Sequence, residues 1–107
     1  MNQYTDTAGN FITTNGKNKT TYFVDGTICS EVYSQPEEGQ LLSKIMQNSD
    51  GSIEISTTTN LDVQLINNTN GSQVVVGGDG NITIAVANDK DITLKGNVKI
   101  EGTFNTI

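Results

Sequence analysis

The sequence lacks histidine, tryptophan and arginine, and it contains one cysteine among its 107 residues. Histidine is the usual general base near neutral pH and a common zinc ligand. Cys29 therefore has no histidine to activate it as a nucleophile and no second thiol for a disulfide within the chain. Its place in the β-branched segment 27–32 predicts a small side chain that is buried or half-buried in a strand.

Positive charge is also scarce. Six lysines face twelve acidic residues, which gives a net charge of −6. Nucleic-acid binding needs a cationic surface, and arginine makes most bidentate contacts with bases, so the composition excludes nucleic acid as a partner. The polar segment 1–6 has none of the features of a secretion signal, and no apolar run reaches membrane-spanning length. We therefore expect a protein made in the cytoplasm.

Helix-forming residues are few. Leucine and alanine together number 8, whereas isoleucine and valine together number 19. The chain also holds 15 threonines, 13 asparagines and 11 glycines. Threonine, isoleucine and valine favour strands, while asparagine and glycine favour tight turns. The composition predicts an all-β protein of many short strands.

Large apolar residues are sparse as well. Leucine, isoleucine, valine and phenylalanine number 27, and beyond residue 50 the only aromatic residue is Phe104. A monomer of this size with so little apolar bulk is marginal. We therefore expect identical chains to bury surface against one another. An ordinary β-sandwich stays open as an alternative, although its core usually draws larger residues from both sheets.

Residues 1–50 are expected to form an N-terminal attachment region. The dipeptide Asp25-Gly26 between alternating residues predicts a β-hairpin over residues 20–33. Residues 1–19 are polar and predict an extended arm or a weak hairpin. Residues 34–47 allow two interpretations: Pro36 followed by acidic residues favours a short helix, and the same apolar positions also suit a strand.

Residues 51–107 contain a repeated pattern in which polar and apolar residues alternate over four positions. The copies are Ser52–Ile55, Asn60–Val63, Asn81–Ile84, Asp91–Leu94 and Asn97–Ile100. The last two copies belong to consecutive six-residue units that end in Gly96 and Gly102. Apolar side chains at the second and fourth positions share one side of an extended strand, and a terminal glycine permits a sharp bend or a positive φ. Two such strands cannot close a core alone, so stacking or wrapping of several copies is expected.

The sequence predicts no catalytic residue, no metal ligand and no cofactor site. Glu54 and Asp62 alternate with apolar residues, so they should point into solvent rather than form a carboxylate pair for glycoside hydrolysis. Residues 77–82 begin like a calcium-binding nonapeptide repeat, but Ile82 stands where the pattern needs aspartate. No helix is expected after this glycine-rich turn, so a phosphate site is not expected either.

The closing segment from Asp91 resembles repeats in tail spike and tail fibre proteins of contractile-tailed bacteriophages. There, short Val/Ile-x-Gly units pack apolar residues along a three-chain axis. The resemblance covers about residues 48–107, and it departs from the spike pattern because long, even runs of eight-residue units and a histidine-based tip site are missing.

The resemblance implies an intertwined trimeric β-helix or β-prism-like C-terminal half, in a homotrimer that belongs to the virion tail and contacts other tail or baseplate proteins and the host envelope. The residues expected to face the trimer core are Ile82, Ile84, Ile92, Leu94, Val98 and Ile100. Lys95, Lys99 and Glu101 are expected to face water, and Val24, Ile28 and Val32 to attach to the tail hub. A receptor-binding fibre or adhesin domain that recognises a host glycan is the alternative, and a single-chain stack remains open.

Overall fold

The computed structural model describes residues 1–58 and 60–106. These residues form nine strands in two antiparallel sheets and contain no helix, so the all-β prediction is confirmed. The strands are β1 (Asn2–Thr5), β2 (Phe11–Asn15), β3 (Asn18–Tyr22), β4 (Ile28–Tyr33), β5 (Leu41–Gln47), β6 (Ile53–Thr57), β7 (Val63–Ile66), β8 (Gln73–Val76) and β9 (Ile82–Ala85). No helix among these residues is long and apolar enough to cross a membrane.

Each sheet is a meander in which every strand pairs with its neighbours in the chain. The first sheet has the order β1 to β6, and the second has the order β7 to β9. The first sheet extends past residue 50, because β6 pairs with β5, and the division of the chain at residue 50 remains a prediction. Among the described residues, the close strand-to-strand contacts are all between strands that are next to one another in sequence.

One hairpin turn recurs four times. In Asp6–Asn10, Phe23–Thr27, Asn48–Ser52 and Gly77–Asn81, the first backbone N–H donates to the carbonyl of the fifth residue, and the fourth residue is a glycine that donates back to the first. These glycines have φ between 91° and 95°, a region that L side chains rarely adopt. Three-residue loops with a left-handed residue at the end are a common hairpin connection.

Asx side chains close most of these turns. The carboxylates of Asp25, Asp50 and Asp79 each accept the backbone N–H two residues on, at 2.9 Å. Asn70 accepts the N–H of Ser72 in the same way at 2.9 Å. The predicted turns at Asp25-Gly26 and at residues 77–80 are therefore confirmed, as is the hairpin over residues 20–33.

The strand interpretation of residues 34–47 is correct, and the helix interpretation is wrong. Leu41–Gln47 forms β5, which pairs with β4 on one side and β6 on the other. Residues 34–40 form the connecting turn, closed by hydrogen bonds between Ser34 and Gln40. The backbone pairs that β5 forms with two neighbours outweigh the helical spacing of its leucines, since an isolated short helix is marginal in water.

Residues 86–106 contain no strand in the single chain. The chain turns at Ala87–Lys90, where Asp89 has a φ of 63°. It bends again at Gly96 and Gly102, with φ of 109° and 108°. The expected positive φ at both glycines is confirmed, whereas the units at 91–94 and 97–100 do not pair within this chain. A strand needs a partner to satisfy its backbone groups, and no other part of the described chain supplies one here.

Candidate assembly surfaces

The strand register separates charged from uncharged residues on the first sheet. Directly opposed residues in antiparallel strands share a face, and so do residues two apart. All four charged residues within β1–β6 lie on one face, which we call the charged face: Lys19, Glu31, Lys44 and Glu54. The opposite face, which we call the uncharged face, carries no charged strand residue.

Polar side chains on the charged face contact one another both between and within strands. The Lys44 ammonium lies 3.1 Å from the Glu54 carboxylate, and hydrogen bonds from Lys44 and Ser56 lower the pKa of Glu54. The Tyr33 hydroxyl donates to the Glu31 carboxylate at 2.9 Å. Burial, together with that hydrogen bond, raises the pKa of Tyr33 to about 12. Opposite charges near one another on a strand surface add modest stability and fix the register.

The few buried side chains also lie on the charged face. Ile12, Thr21 and Cys29 stand in one row across β2, β3 and β4, and each is 4–6% exposed. Burial raises the pKa of the Cys29 thiol. The prediction of a small buried cysteine in a strand is confirmed, and its raised pKa makes it a poor nucleophile.

The uncharged face carries exposed apolar and aromatic side chains among neutral polar ones. Its apolar and aromatic members are Phe11, Tyr22, Ile28, Val32, Ile45, Ile53 and Ile55, which are 36–68% exposed. The rings of Phe11 and Tyr22 lie 6.1 Å apart. Contiguous exposed patches of this kind mark interaction sites on soluble proteins.

The second sheet repeats this arrangement on a smaller scale. Six apolar residues from its three strands lie on one face, which we call the second apolar face: Val63, Leu65, Val74, Val76, Ile82 and Ile84. Leu65 and Ile82 are 68% and 70% exposed. The other face mixes polar and apolar residues, so the two sheets share the same one-sided character.

The residues expected to line a trimer core are exposed in the single chain. Ile82 and Ile84 lie on the second apolar face. Ile92, Leu94, Val98 and Ile100 follow in the strand-free segment and are 49–68% exposed. Their role in an inter-chain core remains a prediction.

The residues assigned to hub attachment do not form one surface. Ile28 and Val32 lie on the uncharged face of β4, whereas Val24 lies in the turn between β3 and β4 and is 70% exposed. The Val24 N–H donates to the Asn10 side chain at 3.0 Å. The tyrosines that could stack on a sugar are also separated, since Tyr22 lies on the uncharged face and Tyr4 and Tyr33 on the other.

The acidic residues considered for chemistry have structural partners. Glu54 is paired with Lys44, and the Asp62 carboxylate accepts the Gly78 N–H at 2.7 Å. Asp79 is engaged within its own turn by Asn81, and strand β9 rather than a helix follows that turn. Within residues 1–58 and 60–106, no three or more metal-ligating side chains come together.

Comparison with known proteins gives no relative from which a role could be carried over. No protein-family pattern, curated protein or solved structure matches the chain. Its function must therefore be argued from the sequence pattern and the geometry of its surfaces.

Proposed function

We propose that the chain is a non-enzymatic structural component of a phage tail or baseplate, which works as a homotrimeric β-structured spike. The observation that carries this proposal is the C-terminal segment. Its two six-residue units bend at equivalent glycines, Gly96 and Gly102, with φ of 109° and 108°. Between the bends, the apolar side chains are exposed and the backbone has no strand partner in the described part of its own chain.

Three chains wrapped around one axis satisfy both needs of this segment. Each chain supplies backbone partners to its neighbours, and Ile92, Leu94, Val98 and Ile100 face the axis. Completely burying one such side chain contributes roughly 1.5–3 kcal/mol, and a trimer gains from each residue three times. The result is a rigid tip suited to transmitting force from the tail to a host envelope.

The chain is also elongated, as a spike requires. Its principal extents are 57 × 29 × 29 Å, and its radius of gyration is 18.7 Å. A compact domain of this length has a radius of gyration of about 13 Å. Exposed apolar residues occur in both sheets and in the C-terminal segment, so the apolar surface extends through most of the sequence.

Immunogold electron microscopy tests the place of the protein in the virion. An antibody against the purified chain is applied to tail particles released by the cells that encode it. We expect label at the baseplate or tail tip, and the chain in the mass spectrum of purified particles. Particles that carry neither label nor chain contradict the proposal.

A further inference from the structure

We propose that the uncharged face of the first sheet is a second self-assembly surface, covered by the same sheet of another copy of this chain. The inference rests on the self-assembly within the proposed function, but it concerns residues 2–57 rather than the C-terminal units. The first sheet, predicted from the sequence to belong to an attachment region, then forms part of the contact between copies of the chain.

The distribution of charge is the first argument. Strands β1–β6 contain four charged residues, and the register places all four on the charged face. A solvated sheet face normally carries the charges and a covered face the apolar residues. The uncharged face carries no charge and seven apolar or aromatic residues among neutral polar ones, so it is the face suited to being covered, although it is open in the single chain.

The second argument is that the chain itself cannot cover this face. The seven apolar and aromatic side chains are 36–68% exposed with the rest of the described chain in place, so neither β7–β9 nor the segment 86–106 covers them. The cover must come from another molecule.

The third argument identifies that molecule as a second copy. The chain exposes 8602 Å², whereas a folded monomer of 11.5 kDa exposes about 5,800 Å². An obligate homodimer buries roughly 2,000–5,000 Å² in total, or about 1,000–2,500 Å² per chain, so the excess of roughly 2,800 Å² per chain is enough surface for such an interface. Only Ile12 and Cys29 are buried apolar residues among those described, so the sheet needs its cover in order to be stable. Identical chains always supply that cover in equal number, and a self-complementary surface is the usual basis of homo-oligomers.

This assignment changes the role of β4. Ile28 and Val32 contact neighbouring copies rather than a tail hub. Val24, which lies in the turn and is 70% exposed, remains available for a different tail protein.

Adjacent threonines provide a matched test. Thr13 and Thr14 in β2 are both half-exposed, but Thr13 lies in the middle row of the uncharged face and Thr14 lies opposite Lys19 on the charged face. We expect Thr13→Glu to lower the mass of the full-length protein in sedimentation equilibrium, because it places a charge in the covered surface and the chains need both this surface and the C-terminal units to stay together. Thr14→Glu should keep the wild-type mass. Circular dichroism verifies that both variants retain the β-sheet signal.

Thiol labelling tests the same point without disturbing assembly. Ser30→Cys places a thiol at the centre of the uncharged face, and Thr7→Cys places one in the exposed turn before β2. We expect the assembled Ser30→Cys protein to react at least about tenfold more slowly than Thr7→Cys, because thiol reactivity requires access. Cys29 contributes little background because it is buried.

The outcomes separate this inference from the proposed function. Equal labelling rates, or equal masses for the two threonine variants, overturn the inference while a trimeric wild-type protein leaves the spike proposal standing. A wild-type protein that is monomeric overturns both.

Discussion

At the scale of single residues, the fold depends more on turn chemistry than on a packed core. Four turns share one hydrogen-bond pattern and one glycine position, and an Asx side chain closes three of them from the residue before the glycine. Asx side chains stabilise the hairpin turns by accepting backbone hydrogen bonds, at positions where little apolar contact is available. Single substitutions in these turns should therefore have measurable effects.

The Asp50 carboxylate illustrates the pH dependence of these turns. It accepts hydrogen bonds from the side chain and the backbone N–H of Ser52, which lower its pKa below the ordinary value of 3.8. The unfolded chain therefore binds more protons near pH 4, and the stability that Asp50 contributes is present above that pH and is lost as the pH falls through its lowered pKa.

We expect Asp50→Asn to retain the turn at pH 7, since Asn70 performs the same task in the turn before β8. Its stability relative to wild type should improve in acid: the wild-type protein loses stability between about pH 5 and pH 3 more steeply than the variant. Urea unfolding at fixed protein concentration measures both curves. Asp50→Ala, which removes the acceptor, should be less stable than Asp50→Asn at pH 7. Parallel pH profiles for wild type and Asp50→Asn contradict this account.

Gly78, in the turn between β8 and β9, contacts the segment that connects β6 to β7. Its N–H donates to Asp62, and a Cβ at this position would collide with the backbone of Asn60. Gly71 is the matched control, because it has a φ of 83° and a Cβ added there would meet no other atom within 4 Å. Gly71→Ala should cost about 1–2 kcal/mol for its backbone conformation alone.

We expect Gly78→Ala to be less stable than Gly71→Ala, because its Cβ collides with backbone atoms of Asn60 and Leu61 that must then move, whereas Gly71→Ala bears only the strain of its positive φ. Urea unfolding of both variants at one protein concentration makes the comparison. A Gly78→Ala protein as stable as wild type shows that the contact between the two turns contributes nothing.

At the scale of elements, the hairpins are the part that the sequence predicts best. Asp25-Gly26 specifies a turn with its own side-chain acceptor, and alternating residues on both sides specify strands. Local signals of this kind need no knowledge of the rest of the chain. The hairpin over residues 20–33 and the strand at residues 82–85 follow from them directly.

Other elements depend on contacts that the sequence does not display. Residues 41–47 satisfy both a helical and an alternating pattern, and pairing with β4 and β6 decides for the strand. The segregation of charge onto one face follows from the register of successive pairings, which depends on loop lengths and on the irregularity between Val32 and Tyr33. The sequence shows one charged residue in each of the four strands β3 to β6, at Lys19, Glu31, Lys44 and Glu54. Only the pairing of the strands shows that the four lie on the same face.

The C-terminal units give a prediction at this scale. Ile92→Asp should abolish assembly, because it places a charge on the side of the strand assigned to the trimer axis, whereas Lys95→Asp, on the outward side, should not. Light scattering of both variants at micromolar concentration measures the outcome. Equal effects of the two changes show that the side assignment is wrong.

At the scale of the whole molecule, the single chain leaves an unusually large area exposed for its mass. It exposes 8602 Å², and none of its described side chains combines large size with complete burial. The uncharged face and the second apolar face lie on successive sheets of a molecule 57 Å long. Hydrophobic burial is the main favourable contribution to folding, and we propose that association supplies the burial that the single chain lacks.

The scarcity of large apolar residues predicts this need for association. The residues expected to face the trimer core, from Ile82 to Ile100, are candidates for the contact surface from the sequence alone. The uncharged face is not, since Phe11, Tyr22 and Ile53 are far apart in sequence and meet only through β-sheet pairing. Composition can indicate that buried surface is lacking, but only topology shows where the open surface lies.

Sedimentation equilibrium of the purified full-length chain at micromolar concentration tests the central claim most directly. The account predicts a species with three times the 11.5 kDa chain mass that persists on dilution. A folded, soluble species with the mass of one chain contradicts it.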